Sequence, residues 1–505
     1  MATALQVFND PVHGSIQLHP LLVKIIDTPQ FQRLRDIKQL GVCYWVYPGA
    51  SHNRFEHSIG VSYLCGQMID TLQALHPDLV TRHESLCIKI AGLCRDLGYG
   101  PFSHFFHEVL IPKLPSKAMS EDLAATWTQD ASCKMFDFML QENEDLTNAF
   151  KDNEDLEEDE YQDFIKDLIC GKAKSKEKAF LYEIVSNLRN RIDCNKFDYI
   201  ARDCHYVGFK SGFIWQRFLQ NICIRKEPNG KLQIRVRDKE ALNLYQLFHA
   251  RWMLYHQVYR HKTIPCIEDI LASAFLKAEF KLQISKLLTD DGLLSEAGEA
   301  MKRYTKLTDR IFYDILDLGE EPSASIVESD DSKKSEETGK KFSEAKNLLL
   351  NIQRRKLYKY CGYAELEDPD HKYPCKKENE EENKEEHKCP SKEVIAEEIA
   401  QASNGKVSQE EIFVSIAYFH YGKEGDNPIQ NVGFCNKSQG SLVDTEHASY
   451  MLPKTFHERF IRVYAKANRK IVQDSFKKWC IDHGKELRRR VIYNDKSDGI
   501  QPEDQ

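Results

Sequence analysis

The stretch IAGLCRDLGYGPFSH (Ile90–His104) decides how the rest of the chain is read. Leu86, Ile88, Ile90, Leu93 and Leu97 recur at the period of a helix with a wide buried face, and Gly98 follows as its stop signal. In the last turn a cation and an anion stand side by side, Arg95 and Asp96. Beyond it Gly98, Gly100 and Pro101 break the chain, and His104 closes the stretch. Upstream, HNRFEH (His52–His57) opens a second helical pattern, Ser51–Leu75, carrying Phe55, Ile59, Tyr63 and Met68. Imidazoles and carboxylates on helices beside Gly-Pro breaks suit a site where side chains converge on a metal ion or a phosphate. Spacing alone does not decide the matter, because a helical His is more commonly a surface residue or a hydrogen-bonded core residue.

Outward from these two helices the chain reads as mainly α. Thr28-Pro29 is an N-cap signal, and Phe31, Leu34, Ile37 and Leu40 continue as a helix to Gly41. Phe180–Tyr199 and Leu242–Tyr259 read as further helices. Pro228-Asn229-Gly230 separates ICIRKE from KLQIRV, a small β-hairpin over Ile222–Val236. Glu411–Tyr421 and Asn431–Phe434 read as strands, and Thr455–Ile481 as a helix pair. Val327–Lys341 and Lys376–Lys388 are almost devoid of apolar residues and cannot offset their ordering entropy by burial. The expected layout is a helical lobe over 1–319 and a charged linker over 320–345. A smaller mixed α/β lobe follows over 346–495, with a disordered insert at 376–392, and then a tail over 496–505.

Bulk properties exclude several function classes. The 505 residues carry 70 Lys and Arg against 78 Asp and Glu, a net charge of −8. That argues against coating nucleic acid by bulk charge and leaves a nucleic-acid-binding module as a weak alternative. No apolar run approaches a membrane span, and Met1–Phe8 lacks a signal peptide's apolar stretch. The 15 scattered cysteines read as reduced thiols, which places the chain in the nucleus or cytoplasm. The basic run Lys485–Arg490 reads as the charged end of a helix rather than a nuclear signal. Cys361, His371, Cys375, His387 and Cys389 lack the close pairing of a zinc unit.

Taken in order, NDPVHG (Asn9–Gly14), DTPQFQRLR (Asp27–Arg35), QLG, YPGASHNRFEHSIGV (Tyr47–Val61), the opening stretch, FLYEIVSN (Phe180–Asn187) and DYIARDCH (Asp198–His205) resemble the HD-domain deoxynucleoside triphosphate triphosphohydrolases. The resemblance continues through RDKEALNLYQLFHAR (Arg237–Arg251), YTKLTDRIF (Tyr304–Phe312) and FIRVY (Phe460–Tyr464) and covers most of the chain. It is strongest to the vertebrate branch that also carries a sterile-alpha-motif domain, which is absent here because the HD region begins almost at Met1. The resemblance implies hydrolysis of a dNTP to deoxynucleoside and triphosphate at a divalent metal (Zn, Fe or Mg). It also implies GTP and dNTP effectors that drive dimer or tetramer formation, an antiviral setting, and possible assembly with an active relative.

Carried over by position, the resemblance places metal ligands at His57 and Asp96. It places substrate contacts at Gln39, Leu40, Arg54, Lys196, Tyr199, Asp203, Arg251 and Tyr259. Guanine-nucleotide recognition falls on Asp27, Gln32 and Arg35, and the second effector site on Asn9, Arg217, Arg237, Lys239, His261 and Lys262. His104 remains as a catalytic histidine. Other positions depart from the pattern. The histidine of the family's His-Asp pair is Arg95, its distant metal-binding Asp is Asn195, and two catalytic histidines are Tyr99 and Gln129. A family Asp just past the FSH motif is His107.

These departures share a sign. Arginine nitrogens stay protonated and cannot ligate. A fixed positive charge about 4 Å from a divalent ion costs roughly 8 kcal/mol at an effective dielectric near 20. Asn195 keeps the shape of Asp without its charge. Tyr99 and Gln129 remove proton-transfer groups, each usually worth about 10²–10⁴ in rate. The expectation is a nucleotide-binding, oligomer-forming pseudoenzyme, with a rebuilt active centre as the alternative. Arg95 is expected either to bind phosphate or to fill a dead pocket by pairing with Asp96 or Asp198.

Overall fold

Glu56 accepts a hydrogen bond from the Asn53 amide at 2.7 Å, closing the first turn of the helix that organises the fold, Arg54–Leu75. Most of its residues are buried, as befits a helix enclosed by others. It packs against the helices Arg82–Cys94 and Cys194–Val207. Gly60 makes the second contact possible. A Cβ there would lie 2.0 Å from Asp198 Oδ1 and 2.5 Å from Arg202 Nη2. Gly98 does the same beside the site, where a Cβ would lie 2.3 Å from the Ser132 amide nitrogen on the helix Glu121–Glu142.

The computed structural model describes residues 6–114, 121–156, 161–174, 177–227, 229–318, 332–366, 391–422, 426–436, 453, 455–483 and 487–493. The chain is mainly α with small β elements, and it divides into two compact units. The first comprises Met1–Tyr259, Glu268–Leu350 and Pro428–Leu452; the second comprises Arg260–Ile267, Asn351–Asn427 and Pro453–Gln505. No helix among the described residues is long and apolar enough to cross a membrane.

In the first unit the expected hairpin forms, pairing Ile222–Lys226 with Leu232–Arg237. A second hairpin, Gln6–Asp10 with Gly14–Leu18, went unread. Phe434–Cys435, expected as a strand of the C-terminal lobe, pairs in parallel with Leu232–Arg237 and belongs to the first unit. The expected helix from Phe31 to Leu40 is a single α-turn, Pro29–Gln32, capped by Thr28, followed by the 3₁₀ turn Arg33–Asp36. The expected helix Phe180–Tyr199 is broken. Tyr182–Val185 ends before a turn in which Asn187 and Asp193 side chains accept backbone amides, and the helix Cys194–Val207 begins afresh.

The second half of the expected linker is helical, Ser332–Gln353. Phe342, Ala345, Leu349 and Ile352 are buried at helical spacing, so its apolar end anchors the charged one. In the second unit a four-stranded antiparallel sheet runs in the order Ile412–His420, His457–Ala465, Lys359–Leu366, Leu487–Tyr493. The helices Lys392–Ala402 and Arg469–Asp482 pack on it over Ile395, Ile399, Ile461, Val463, Val472 and Phe476. The expected C-terminal helix pair is therefore one strand and one helix. Short β-branched runs such as FIRVY fit either period, and pairing along both edges of His457–Ala465 decides for the strand. The basic run read as a helix end leads into the strand from Leu487. Cys361 lies in this unit's core, whereas His371, Cys375, His387, Cys389 and the tail lie outside the described residues.

Candidate active site

Two helix starts and one helix end build the site. Arg54 and His57 share a face of the first turn of Arg54–Leu75. Asn195, Asp198 and Arg202 share a face of Cys194–Val207, and Arg95 is the C-cap of Arg82–Cys94 with Asp96 next to it. The Gly98 amide donates to Ser132 Oγ, and Ser132 Oγ donates to the Arg95 carbonyl. The buried Arg33 guanidinium donates to the Leu97, Tyr99 and Leu307 carbonyls, which fixes the turn after Asp96.

Asp198 is the anionic hub. Its Oδ1 accepts from His13 Nε2 at 2.7 Å and Arg202 Nη2 at 2.9 Å; its Oδ2 accepts from His57 Nδ1 at 2.7 Å and Arg202 Nε at 2.9 Å. Burial alone would raise its pKa, but Arg202, His13 and His57 together hold it well below the usual carboxylate range. Arg202 also donates to Asp10 at 2.9 Å, which ties the N-terminal hairpin to the hub.

Asp96 is bound from three sides. Arg54 Nη1 lies 2.6 Å from Oδ2, His57 Nε2 3.2 Å from the same oxygen, and Arg95 Nη1 2.9 Å from Oδ1. Arg95 thus pairs with Asp96 and not with Asp198, and its Nε donates to Ser186. Burial again works against the Asp96 charge, and Arg54, His57 and Arg95 overcome it to hold its pKa far below the ordinary range. Both His57 ring nitrogens face acceptors: Nδ1 faces Asp198, and Nε2 faces Asp96 and Asn195 Oδ1, the latter at 3.1 Å. Burial would lower the His57 pKa, yet Asp198 and Asp96 raise it, and with an acceptor facing each nitrogen the site is built to hold a doubly protonated ring. A doubly protonated ring has no lone pair to give a metal, and Arg95, which cannot ligate, holds a fixed positive charge 2.9 Å from Asp96 Oδ1, where it would repel a divalent ion. The residues at His57 and Asp96 do not fit a divalent ion.

Around this core lie the expected substrate residues. Arg54 stacks on Tyr99 at 3.5 Å and donates to Ser103 Oγ and the Gln39 carbonyl. The Gln39 side-chain oxygen is buried without a hydrogen-bond partner, and Leu40 precedes the 3₁₀ turn Gly41–Trp45. Asp203 accepts from His52 at 2.7 Å and from the Tyr259 hydroxyl. Arg251 stacks on Tyr255 at 4.2 Å and bonds Tyr199. Lys196 is buried with no ion pair; burial first, then Arg251, Arg191 and Arg95, lower its pKa to about 7. Gln129 accepts from its neighbour Thr128 and is not brought onto Asp96 or His57.

Of the expected effector residues, Arg35 Nε donates to Gln32 at 2.8 Å, Gln32 reaches the Ile26 carbonyl, and exposed Asp27 caps the helix ending there. Asn9 is exposed on the first strand. Arg217 pairs with Glu240 and the Lys239 carbonyl, and Arg237 keeps a buried, unpartnered Nε. His261 and Lys262 belong to the second unit.

His104 makes its contacts with Tyr99, His107 and Glu108. It is exposed and pairs with Glu108 at 3.3 Å. Tyr99 lies beside both histidines, with ring centroids 5.4 Å from His104 and 5.8 Å from His107. His107 is buried, stacked on Trp127 at 5.6 Å, and burial and the nearby His104 lower its pKa to about 3, so it is neutral. The Asp10–Arg202–Asp198–His13 network was missed by sequence reading, although the i, i+4 spacing of Asp198 and Arg202 offered a signal.

No family model matches the chain. Similar proteins are the deoxynucleoside triphosphate triphosphohydrolase SAMHD1 of Danio rerio, 39% identical over 503 residues, covering 95% of this chain and 74% of the relative. The Homo sapiens protein of that name is 38% identical over 502 residues with the same coverages, and the Dictyostelium discoideum homolog is 32% identical over 486 residues, covering 95% and 81%.

Asp198→Asn leaves the fully buried Arg202 short of its anion, and removing one partner of a buried pair costs about 3–5 kcal/mol. Denaturant unfolding should show a loss of that size; a loss below about 1 kcal/mol would show that the hub is not structural.

Proposed function

Because this chain belongs to the deoxynucleoside triphosphate triphosphohydrolase SAMHD1 family, we propose that it binds nucleoside triphosphates at the family's site and has lost most or all of their hydrolysis. The observation that carries this reading is the saturation of His57 and Asp96 by Arg54, Arg95, Asn195 and Asp198.

Charge arithmetic supports it. In the family pattern a neutral His, an Asp and a divalent ion contribute 0 − 1 + 2 = +1. Here Arg95 and Asn195 contribute +1 + 0 = +1 with no ion. At these two positions the substitutions match the charge that the ion would bring, and the raised pKa of His57 adds further positive charge beside Asp96 and Asp198, so both carboxylates stay compensated without a metal. What is lost is the ion's ability to activate water and polarise the phosphate.

Binding groups persist. Arg251, Arg191 and Arg95 act on Lys196 against Asp193, so a phosphate beside Lys196 would relieve the repulsion it feels. Gln39 offers a buried acceptor to a ligand hydroxyl. Asp27, Gln32 and Arg35 support a guanine-nucleotide effector, and with it nucleotide-driven assembly of like subunits or with an active relative in nucleus or cytoplasm.

The purified chain with GTP, mixed dNTPs and Mg²⁺ or Mn²⁺ should release no deoxynucleoside or triphosphate above an Asp96→Ala control, while nucleotide still drives oligomerisation. Turnover abolished by Asp96→Ala would instead establish an active, rebuilt centre.

A second expectation concerns pH. Lys196 titrates near 7 and must be protonated to meet phosphate. Affinity for a non-hydrolysable dNTP analogue should fall between about pH 7 and 8.5, by up to about tenfold per unit for one linked proton. Calorimetry on Lys196→Met should show weaker binding without that fall; an unchanged pH profile would remove Lys196 from the phosphate site.

A further inference from the structure

Away from Asp96, one other set of imidazoles and a carboxylate converges. His104, His107 and Glu108 each offer one ligating atom, and the three atoms lie within 4.8 Å of one another. His104 Nδ1 is 3.3 Å and His107 Nε2 4.0 Å from the same Glu108 oxygen. Donors held tetrahedrally at about 2.0–2.2 Å from zinc stand roughly 3.3–3.6 Å apart. One pair already has that separation, the second needs less than about 1 Å of closure, and the third, between the two histidines, needs at most about 1.5 Å.

The backbone makes this arrangement local. Phe102 and Ser103 take left-handed conformations, with φ of 57° and 56°, and turn the chain into the π-helical turn Phe106–Leu110. That wide turn carries His107 and Glu108 beside His104, and π-turns of this kind are frequent at functional sites. His107 is oriented by its stack on Trp127, with ring planes 1° apart. Its buried Nδ1 has no hydrogen-bond partner. A cation bound at Nε2, the nitrogen that faces Glu108, would leave the ring's one proton on Nδ1. His57 is the contrasting case, with both nitrogens committed to acceptors.

We propose that His104, His107 and Glu108 form a divalent-cation site, suited by two imidazoles and one carboxylate to Zn²⁺, separate from the positions where the family holds its metal. His104 and Glu108 are exposed, so the fourth coordination position faces solvent and takes water or another oxygen ligand, such as a phosphate. Tyr99 separates this site from Asp96, with Arg54 on the Tyr99 ring face and His104 against its edge. The spacing H-x-x-H-E is the sequence trace of the site. The proposal does not depend on whether hydrolysis persists.

The test is metal binding by the full-length chain after chelator treatment. Co²⁺ is followed by visible absorption and Zn²⁺ by competition with a chromophoric chelator. One equivalent should bind with a tetrahedral Co²⁺ spectrum. His104→Ala and Glu108→Gln, both at exposed positions, should each weaken binding by more than about tenfold. Their thermal unfolding without metal should match the parent's, and Asn195→Ala should bind normally. Absence of stoichiometric binding, binding indifferent to the first two variants, or binding lost with Asn195→Ala would each overturn the assignment.

Discussion

Four hydrogen bonds converge on the two oxygens of Asp198, from Arg202 twice, His13 and His57, in a place with no access to water. A carboxylate there is tolerable only because each lone pair facing the interior meets a cationic or imidazole donor. Gly60 lets the central helix come close enough for His57 to be one of those donors. Arg202 extends the network to Asp10, whose other oxygen accepts the Val12 and His13 amides and shapes the N-terminal hairpin. The hub therefore positions His57, and His57 with Arg54 and Arg95 positions Asp96. Packing, local turn structure and the candidate site are one charge-balanced assembly.

That assembly explains how a member of a hydrolase family can keep its fold with an altered centre. A metal site without its metal leaves carboxylates facing one another, which destabilises the fold or raises their pKa values. Arg95 supplies a covalently attached positive charge, and Asn195 removes a negative one. Lys196 and the Arg251–Tyr199 pair lie outside this balance. A neutral His107 one tyrosine ring away shows that ligating chemistry has not vanished from the neighbourhood.

Much of this was legible in the sequence, for physical reasons that differ by residue. Long helices such as Arg54–Leu75 and Arg82–Cys94 announce themselves by apolar spacing and capping residues, and the Arg95-Asp96 pair sits where that spacing puts it. The break at residues 186–193 was hidden because Asn187 and Asp193 act through side chain-to-backbone bonds that no apolar period reveals. The strand His457–Ala465 was misread because the short run HERFIRVYA mixes charged and apolar residues in a pattern that fits either period until neighbours hydrogen-bond to it. The Asp198 hub joins residues 10, 13, 57, 198 and 202, a closure that only the tertiary structure displays. His104, read as a remaining catalytic histidine, follows the turn through Phe102 and Ser103 and pairs with Glu108 beside the Tyr99 ring, a contact that spacing alone did not reveal.

The central claim is that His57 is a doubly protonated ring pinned between Asp198 and Asp96, and so unavailable to a metal. Nitrogen NMR of the chain labelled at histidine, with His57 assigned by His57→Gln, reads this directly. The account predicts two imidazolium-type nitrogen signals for His57 at neutral pH, unmoved by Zn²⁺ or Mg²⁺. A His57 Nε2 signal that loses its proton and shifts when the metal is added would contradict it.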